Sequence, residues 1–334
     1  MANVAHAFSP KEWRCAVVSD ATDAGSTGIG TTMYQLDVDS VSYPSLNVTQ
    51  SLDVRSGVGA TLKDEDFFHD NKMRVVELSL SGTLHDDVGH RLLLANICGA
   101  AQADDTNQTI ASGHKIVSHR MAASAGLTNN AASLTVVIQP SDVNNQKGLE
   151  FFGCVVTNFT ISADTGTEGG RYKWSATIQT GKTPDLASTA NPTITPYANN
   201  DGTTLASASG VKVYGVDAVL NSFTTTIDYP AVFSGISSTG YEVVSRAAEC
   251  SVTHDCQIKY DGNTKDLIST FDAGTVKEEN MFIIVNDGKF GIDTANGVFT
   301  NVALSEGDIM MLDCSIKAID DGTDELLIVD LSDS

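Results

Sequence analysis

Four stretches of the chain hold residue types that could do chemistry, and each has a simpler use. Cys250, His254, Asp255 and Cys256 offer thiolates and an imidazole, the ligand types of zinc. Five residues on a strand between the two cysteines do not converge their side chains tetrahedrally, and no second Cys or His pair stands nearby in sequence. His85, Asp86, Asp87 and His90 crowd one point and invite an acid–base reading, but carboxylates are ordinary in the first turn of a helix. Gly25-Ser-Thr-Gly28-Ile-Gly30 has the look of a phosphate loop, yet it precedes a strand and no Lys-Ser or Lys-Thr closes it. The turns Asp261-Gly-Asn263 and Asp320-Asp321-Gly322 lack the twelve-residue spacing of a calcium loop, and turn chemistry accounts for them. No catalytic, cofactor-binding or metal-binding residue is therefore assigned, and the expectation is a protein that is not an enzyme.

The elements that carry these residues are short strands, and their order repeats. Val155-Val-Thr-Asn-Phe-Thr-Ile-Ser162 lies over Val298-Phe-Thr-Asn-Val-Ala-Leu-Ser305 without a gap. Each octet is followed by an acidic, glycine-containing turn and a returning strand, so hairpins at 154–181 and 298–322 echo one another. A fixed-order echo is the mark of an internal duplication.

The rest of the chain supports it. Period-2 alternation predicts a hairpin at 34–39 and 46–49, a strand at 75–81, a short helix from Asp86 to Gly99 and a strand at 134–138. In the second half 211–216 with 223–227 reads as a hairpin, 249–258 as a strand, 264–274 as a helix closed by Gly274, and 281–285 as a strand. An extra strand is expected at 325–331. Between the halves, Pro184, Pro192 and Pro196 stand among Ser, Thr and Asn residues and mark a boundary. The division is 1–185 with an N-terminal arm, a linker at 186–209, and 210–334.

Charge narrows the function. Forty-two acidic against 20 basic residues leave a formal charge of −22, which argues against gripping nucleic acid, since that needs Lys and Arg to replace phosphate counterions. Residues 1–185 carry 13 basic and 20 acidic side chains, and 186–334 carry 7 and 22, so the second half is the more acidic. No apolar run approaches the roughly 20 residues that cross a bilayer, and no signal peptide is evident, so synthesis in a cytoplasm is expected with six reduced, mostly buried cysteines. The loop 53–74 is too long for a tight turn, and loops of that length in compact domains make contacts. Its Phe67-Phe68 pair reads as an interface.

This order of elements, with GTLHDDVGHRLLLANICG around the first helix, LEFFGCVVTNFTISADTG and GGRYKWSATIQTGKTP closing one half, and SFTTTIDYP with IKYDGNTKDLISTF in the other, resembles the tail tube proteins (major tail proteins) of long-tailed bacteriophages. The resemblance spans Tyr34 to Leu331 and implies a mainly β chain: two tandem β-sandwich or barrel domains, each with a short α-helix, assembling into a β-barrel-lined ring. Two such domains in one chain resemble the variant in which three subunits make a pseudo-sixfold ring. Rings would stack into a tube in the virion tail, an acidic conduit for DNA ejection assembled in the host cytoplasm. The implied partners are copies of the chain itself, a tape measure protein, a tail terminator and baseplate or distal tail proteins, with DNA passing transiently, no membrane and no cofactor. The resemblance makes 53–74 and 229–245 inter-ring loops, with Lys63, Asp64, Glu65, Asp66, Phe67 and Phe68 as candidate contacts. Asp37, Asp39, Asp217 and Asp313, which alternate with aliphatic residues, are the candidates for an acidic lumen. The Thr/Ser/Asn-rich composition also permits a two-domain β-sandwich adhesin that binds a glycan or receptor.

Overall fold

A computed structural model describes residues 10–20, 32–42, 49–52, 67–70, 74–98, 108–110, 114–116, 133–140, 147–197, 204–241, 243–246, 249–286, 290–307, 309–320 and 326–331. Lys63, Asp64, Glu65 and Asp66, and the calcium-like turn at 321–322, lie outside the described residues, as does the glycine run at 25–30.

Alternating aliphatic and polar residues dictate strands, and strands dominate. The first half contains β1 (Trp13–Ser19), β2 (Thr32–Gln35), β3 (Ser40–Ser42), β4 (Thr49–Leu52), β5 (Phe67–Asp70), β6 (Val76–Thr83), helix α1 (Val88–Cys98), β7 (Gln108–Ile110), β8 (His114–Ile116), β9 (Leu134–Pro140), β10 (Gly148–Asp164), β11 (Lys173–Thr180) and β12 (Asp185–Ser188). After β13 (Thr193–Thr195) come β14 (Gly210–Val213), β15 (Val216–Asp217), β16 (Leu220–Asp228), β17 (Ala231–Ser234), β18 (Val243–Arg246), β19 (Ser251–Lys259), helix α2 (Leu267–Ala273), β20 (Phe282–Asn286), β21 (Phe290–Thr294), β22 (Gly297–Ser305), β23 (Met311–Ala318) and β24 (Ile328–Leu331).

The pairing of these strands occurs twice. In the first half β2 pairs β1, β1 pairs β9, β9 and β12 pair the start of β10, the rest of β10 pairs β11, β11 pairs β6, and β6 pairs β3, all antiparallel. In the second half the same sequence of pairings runs β15, β14, β20, β21 with β24, and then β22, β23, β19, β16. The echo of the two octets is thus a structural equivalence. Both carry a β-bulge at the same place, between Val156 and Asn158 and between Phe299 and Asn301. In both, the bulged threonine donates from its hydroxyl to a carbonyl of the returning strand: Thr157 to Thr177 and Thr300 to Ser315, each at 3.2 Å.

Each half is a pair of sheets with side chains interleaved between them, and among the described residues the sheets are open and close no barrel. β10 is long enough to serve both sheets of its half. It changes partners between Phe151 and Cys154, where Gly153 takes φ 58, a left-handed conformation that costs glycine little. The second half solves the same problem by breaking the strand into β21 and β22.

Two expected hairpins are rearranged. Of the first, residues 34–35 belong to β2, residues 46–48 lie outside the described residues and Thr49 belongs to β4, which pairs β5, while 40–42 between them pair with β6 in the other sheet. β14 turns back at Tyr214-Gly215, both at positive φ, onto β15, whereas β16 lies in the opposite sheet. A two-sheet sandwich requires this, because consecutive strands cross from one layer to the other, and period alone does not say which layer a strand joins. The segment expected as a linker contains β13, which runs parallel to β2, and a buried Leu205.

One continuous apolar core fills both halves. In the first, Trp174 stacks on Phe159 at 5.9 Å and meets His90 edge-on at 5.1 Å, while its indole N–H donates to the Asp37 carbonyl at 3.3 Å. Helix α1 is buried on nearly every side, which its run Leu92-Leu93-Leu94 allows and its polar residues resist. Two of them find partners at the helix start, while His90 Nε2 and Asp87 Oδ2 stay buried without a hydrogen bond. Asp87 caps the helix by accepting from the His90 backbone N–H at 2.9 Å, and Asp86 accepts from the Arg91 guanidinium at 2.7 Å.

In the second half His254 replaces an aliphatic residue in the core. It stacks on Phe282 at 4.4 Å and lies 2.9 Å from the hydroxyls of both Thr225 and Thr294. Burial pushes its pKa down to about 3, so the ring is neutral in the folded state. The unfolded chain takes up a proton near pH 6.5 that the folded chain refuses, so stability present above that pH is lost as pH falls toward about 3. The thermal midpoint is therefore expected to fall across that window, measured by calorimetry. In His254→Leu the decline should be shallower, at the cost of a lower midpoint at pH 7.

Candidate functional site

The chemistry of the protein lies in a sheet and its edges. The inner sheets of the two halves join into a single run of eight strands, β3-β6-β11-β10-β16-β19-β23-β22. The joint is β10 against β16, seven residue pairs from Asn158–Asp228 to Asp164–Ser222. Among the described residues β3 pairs with β6 as its one strand neighbour and β22 with β23, apart from a single bridge of Gly297 to Lys277 at the start of β22, so the run ends in two edges that are open beyond that bridge.

One face of this sheet is apolar and covers the core. The other is polar over β6, β11, β10, β16, β19 and β23, whose residues alternate: in β19, Val252, His254, Cys256 and Ile258 point inward, Thr253, Asp255, Gln257 and Lys259 outward. The outward face is mostly Thr, Ser, Asn and Gln, and none of its strands contains an arginine. Its polar groups hold one another. Thr165 donates to Asn221 Oδ1 at 2.9 Å, Asn221 to Gln257 Oε1 at 2.6 Å, and Gln257 to Asp313 Oδ1 at 2.8 Å. That chain of bonds crosses from the first half to the far side of the second. Ser315 donates to Asp255 at 2.6 Å beside it.

A model of the phage tail tube protein family matches residues 19–318. The chain belongs to the phage tail tube protein family. It is therefore a structural component of a virion tail, of a family that self-assembles into a tube. No curated protein matches it by sequence. Among the described residues no helix of this tail tube protein is long and apolar enough to cross a membrane.

Of the four acidic residues singled out in the sequence, Asp313 lies on the polar face. Asp37 is partly buried, 2.7 Å from His85 Nε2, and Asp39 is 3.7 Å from the Lys173 ammonium. The two share a small charged pocket with Arg171, Glu168 and Tyr197 at one end of β6 and β11. Asp217 stands 3.9 Å from Lys212, away from both. Asp164, Asp228 and Asp255 also lie on the polar face, and the alternation around Val252 and Ile258 carries the signal for Asp255. Phe67 and Phe68 are on β5 and half exposed. The possible metal and catalytic groups are absorbed into the fold: Cys256 faces Cys314 across the strands, His254 is in the core, and His85 holds Asp37. Among the described residues no group of three His, Cys, Asp or Glu side chains is placed to hold a metal ion. No disulfide links the six cysteines, and burial pushes the Cys15 and Cys250 thiols up to about 12.

Arg246 clamps the joint between the halves. From β18 its guanidinium donates to the carbonyls of Val156 at 2.8 Å, Tyr229 at 2.5 Å and Asn96 at 3.2 Å, and lies 4.7 Å over the Tyr229 ring. Asn96 Oδ1 in turn accepts from the Val156 N–H at 2.7 Å. The bulge of β10, the end of α1 and β18 are thus tied at one point. Its equivalent in the first half is Asp70, so the clamp belongs to this joint. Arg246→Ala should leave three buried carbonyls short of a donor and destabilise the tail tube chain by about 3 kcal/mol, read by urea unfolding. Arg246→Lys, which keeps the charge but not the fork, should fall between.

Proposed function

We propose that the chain closes with two further copies into a ring, and that stacked rings form a tube through which DNA passes. The observation that carries this reading is the joint of β10 with β16. β10 and β22 are equivalent, as are β16 and β3, so the chain has already made once, internally, the contact that its two open edges would make between copies. Open edges are a hazard that closure removes. A ring of three chains contains six equivalent four-stranded units, and repetition of one joint around the axis turns the continuous sheet into a closed wall.

The polar face suits the lumen. Hydroxyl and amide groups bonded to one another have little to offer a phosphate, and the cations of these strands, Lys173, Lys259 and Lys317, are outnumbered on them by Glu77, Asp164, Asp228, Asp255 and Asp313. The formal charge of −22 on each chain points the same way. On this reading the chain carries out no reaction. Its further partners would be a tape measure protein within the tube, a terminator at one end and baseplate proteins at the other.

The equivalence also supplies a register. Carried over from the internal joint, Ser305 falls opposite Ser42 of the next copy, Glu306 opposite Val41 and Gly307 opposite Ser40. The double variant Ser42→Cys, Ser305→Cys should form disulfides under mild oxidation, giving a denaturing-gel ladder that stops at three chains, with rings in negative stain. A monomer at high concentration that forms neither ladder nor ring defeats the proposal. A ladder stopping at six chains would keep the wall and revise its count.

A further inference from the structure

Arg246 secures the internal joint, and an acid stands in its place at the open edge. Thr49 faces Asp70 across β4–β5 as Ala231 faces Arg246 across β17–β18, so a copy that lays β3 against β22 brings Asp70 to the position of the guanidinium. The carbonyl waiting there is that of Phe299, which holds the place of Val156 beside the shared bulge. A carboxylate and a carbonyl both accept, so the bonds that Arg246 makes have no counterpart between copies. A clamp at this joint needs its cation from the other side.

That cation is in place. Beyond the end of α2, Lys277 donates its backbone N–H to the Gly297 carbonyl at 2.9 Å and accepts from the Gly297 N–H at 3.0 Å, at the start of β22. Its ammonium lies 5.4 Å from the centre of the Tyr214 ring, and that ring stacks on Phe299 at 5.3 Å. The stack is held from several sides. Tyr214 takes φ 55, which a bulky residue adopts only where its surroundings enforce it, and its hydroxyl donates to the Thr275 carbonyl at 3.4 Å. At Gly215 a Cβ would come within 3.3 Å of Lys277 Cε and Nζ. Among the described residues Lys277 is paired with no carboxylate. It is also the one base in the sequence between Lys265 and Lys289, so nothing close along the chain replaces it.

We infer that Lys277 of one copy and Asp70 of the next form an ion pair across the joint between copies, a clamp with the polarity of Arg246 reversed. The inference rests on the ring reading and adds a charge code to it. Where the end of α1 offers Asn96 as an acceptor to Arg246, the chain after α2 offers a donor instead. An exposed pair contributes little affinity alone and is screened by salt. Its effect is on which edge is accepted and in what register. The internal joint, held by Arg246 and its carbonyls, is insensitive to that screening, whereas closure between copies weakens as salt rises.

Charge exchange tests this. At low salt Asp70→Lys and Lys277→Asp should each raise the protein concentration at which rings appear by about ten-fold, and the double variant should return it to within about two-fold of the unsubstituted protein. Single variants that close as readily as the unsubstituted protein, or a double variant no better than its singles, overturn the pair. Should a variant fail to fold, the unsubstituted protein serves. Carbodiimide treatment of assembled rings should couple the Asp70 carboxyl to the Lys277 amine as an amide, found by mass spectrometry of the digest and absent from free chains. Rings without that cross-link overturn the pair and leave the ring intact. Absence of rings in the unsubstituted protein at any concentration overturns the ring reading and the pair with it.

Discussion

An antiparallel sheet that ends in unpaired backbone groups demands a partner, and that demand organises this molecule. Every strand of the inner sheets except the two at its ends has both neighbours within the chain. The internal joint of β10 with β16 satisfies one pair of edges and leaves an equivalent pair at the outside. Duplication of a four-stranded unit therefore halves the number of edges that must find another molecule without changing their kind. The strands themselves are ordinary. What is unusual is that the same edge is buried in one half and open in the other.

The joint needs more than strand pairing to hold its angle. Arg246 gathers three carbonyls from three elements, and the hydrogen-bond chain from Thr165 to Asp313 runs over the polar surface of the same strands. The first lies within the packed interior, where an unmet carbonyl is costly, and the second on the polar face, where each bond contributes little alone. Their division of labour follows from burial. A rigid joint inside the chain also presents the outer edges at a defined angle, which the proposed ring would need.

The two halves have diverged in chemistry while keeping their pairings. Leu78 of β6 corresponds to His254, and Leu80 with Ala176 corresponds to Cys256 with Cys314. The core accepts a histidine because Thr225 and Thr294 flank both ring nitrogens. The helices diverge further: α1 is eleven residues and buried, whereas α2 is seven, with Leu267 its buried residue, and ends at Gly274 in a left-handed cap.

Much of this was legible in the residues. The gapless match of Val155–Ser162 with Val298–Ser305 reported the duplication, and it extends to the shared bulge at Thr157 and Thr300. Period-2 alternation reported the strands 76–83, 134–140 and 251–259, and the Asp86-Asp87 and Gly274 signals reported the helices. These features are local: propensity, turn chemistry and side-chain alternation act within a few residues. The choice of sheet for each strand was not local, which is why the expected hairpin at 211–227 came apart into different layers. The face on which an acidic residue lies likewise followed from register, so Asp37 and Asp217 went elsewhere while Asp164, Asp228 and Asp255 joined Asp313. The sequence by itself determined a duplicated, acidic, strand-built chain. Only the tertiary structure decided which edges are spent internally and which stay open, because an edge is a property of neighbours brought together from more than fifty residues apart.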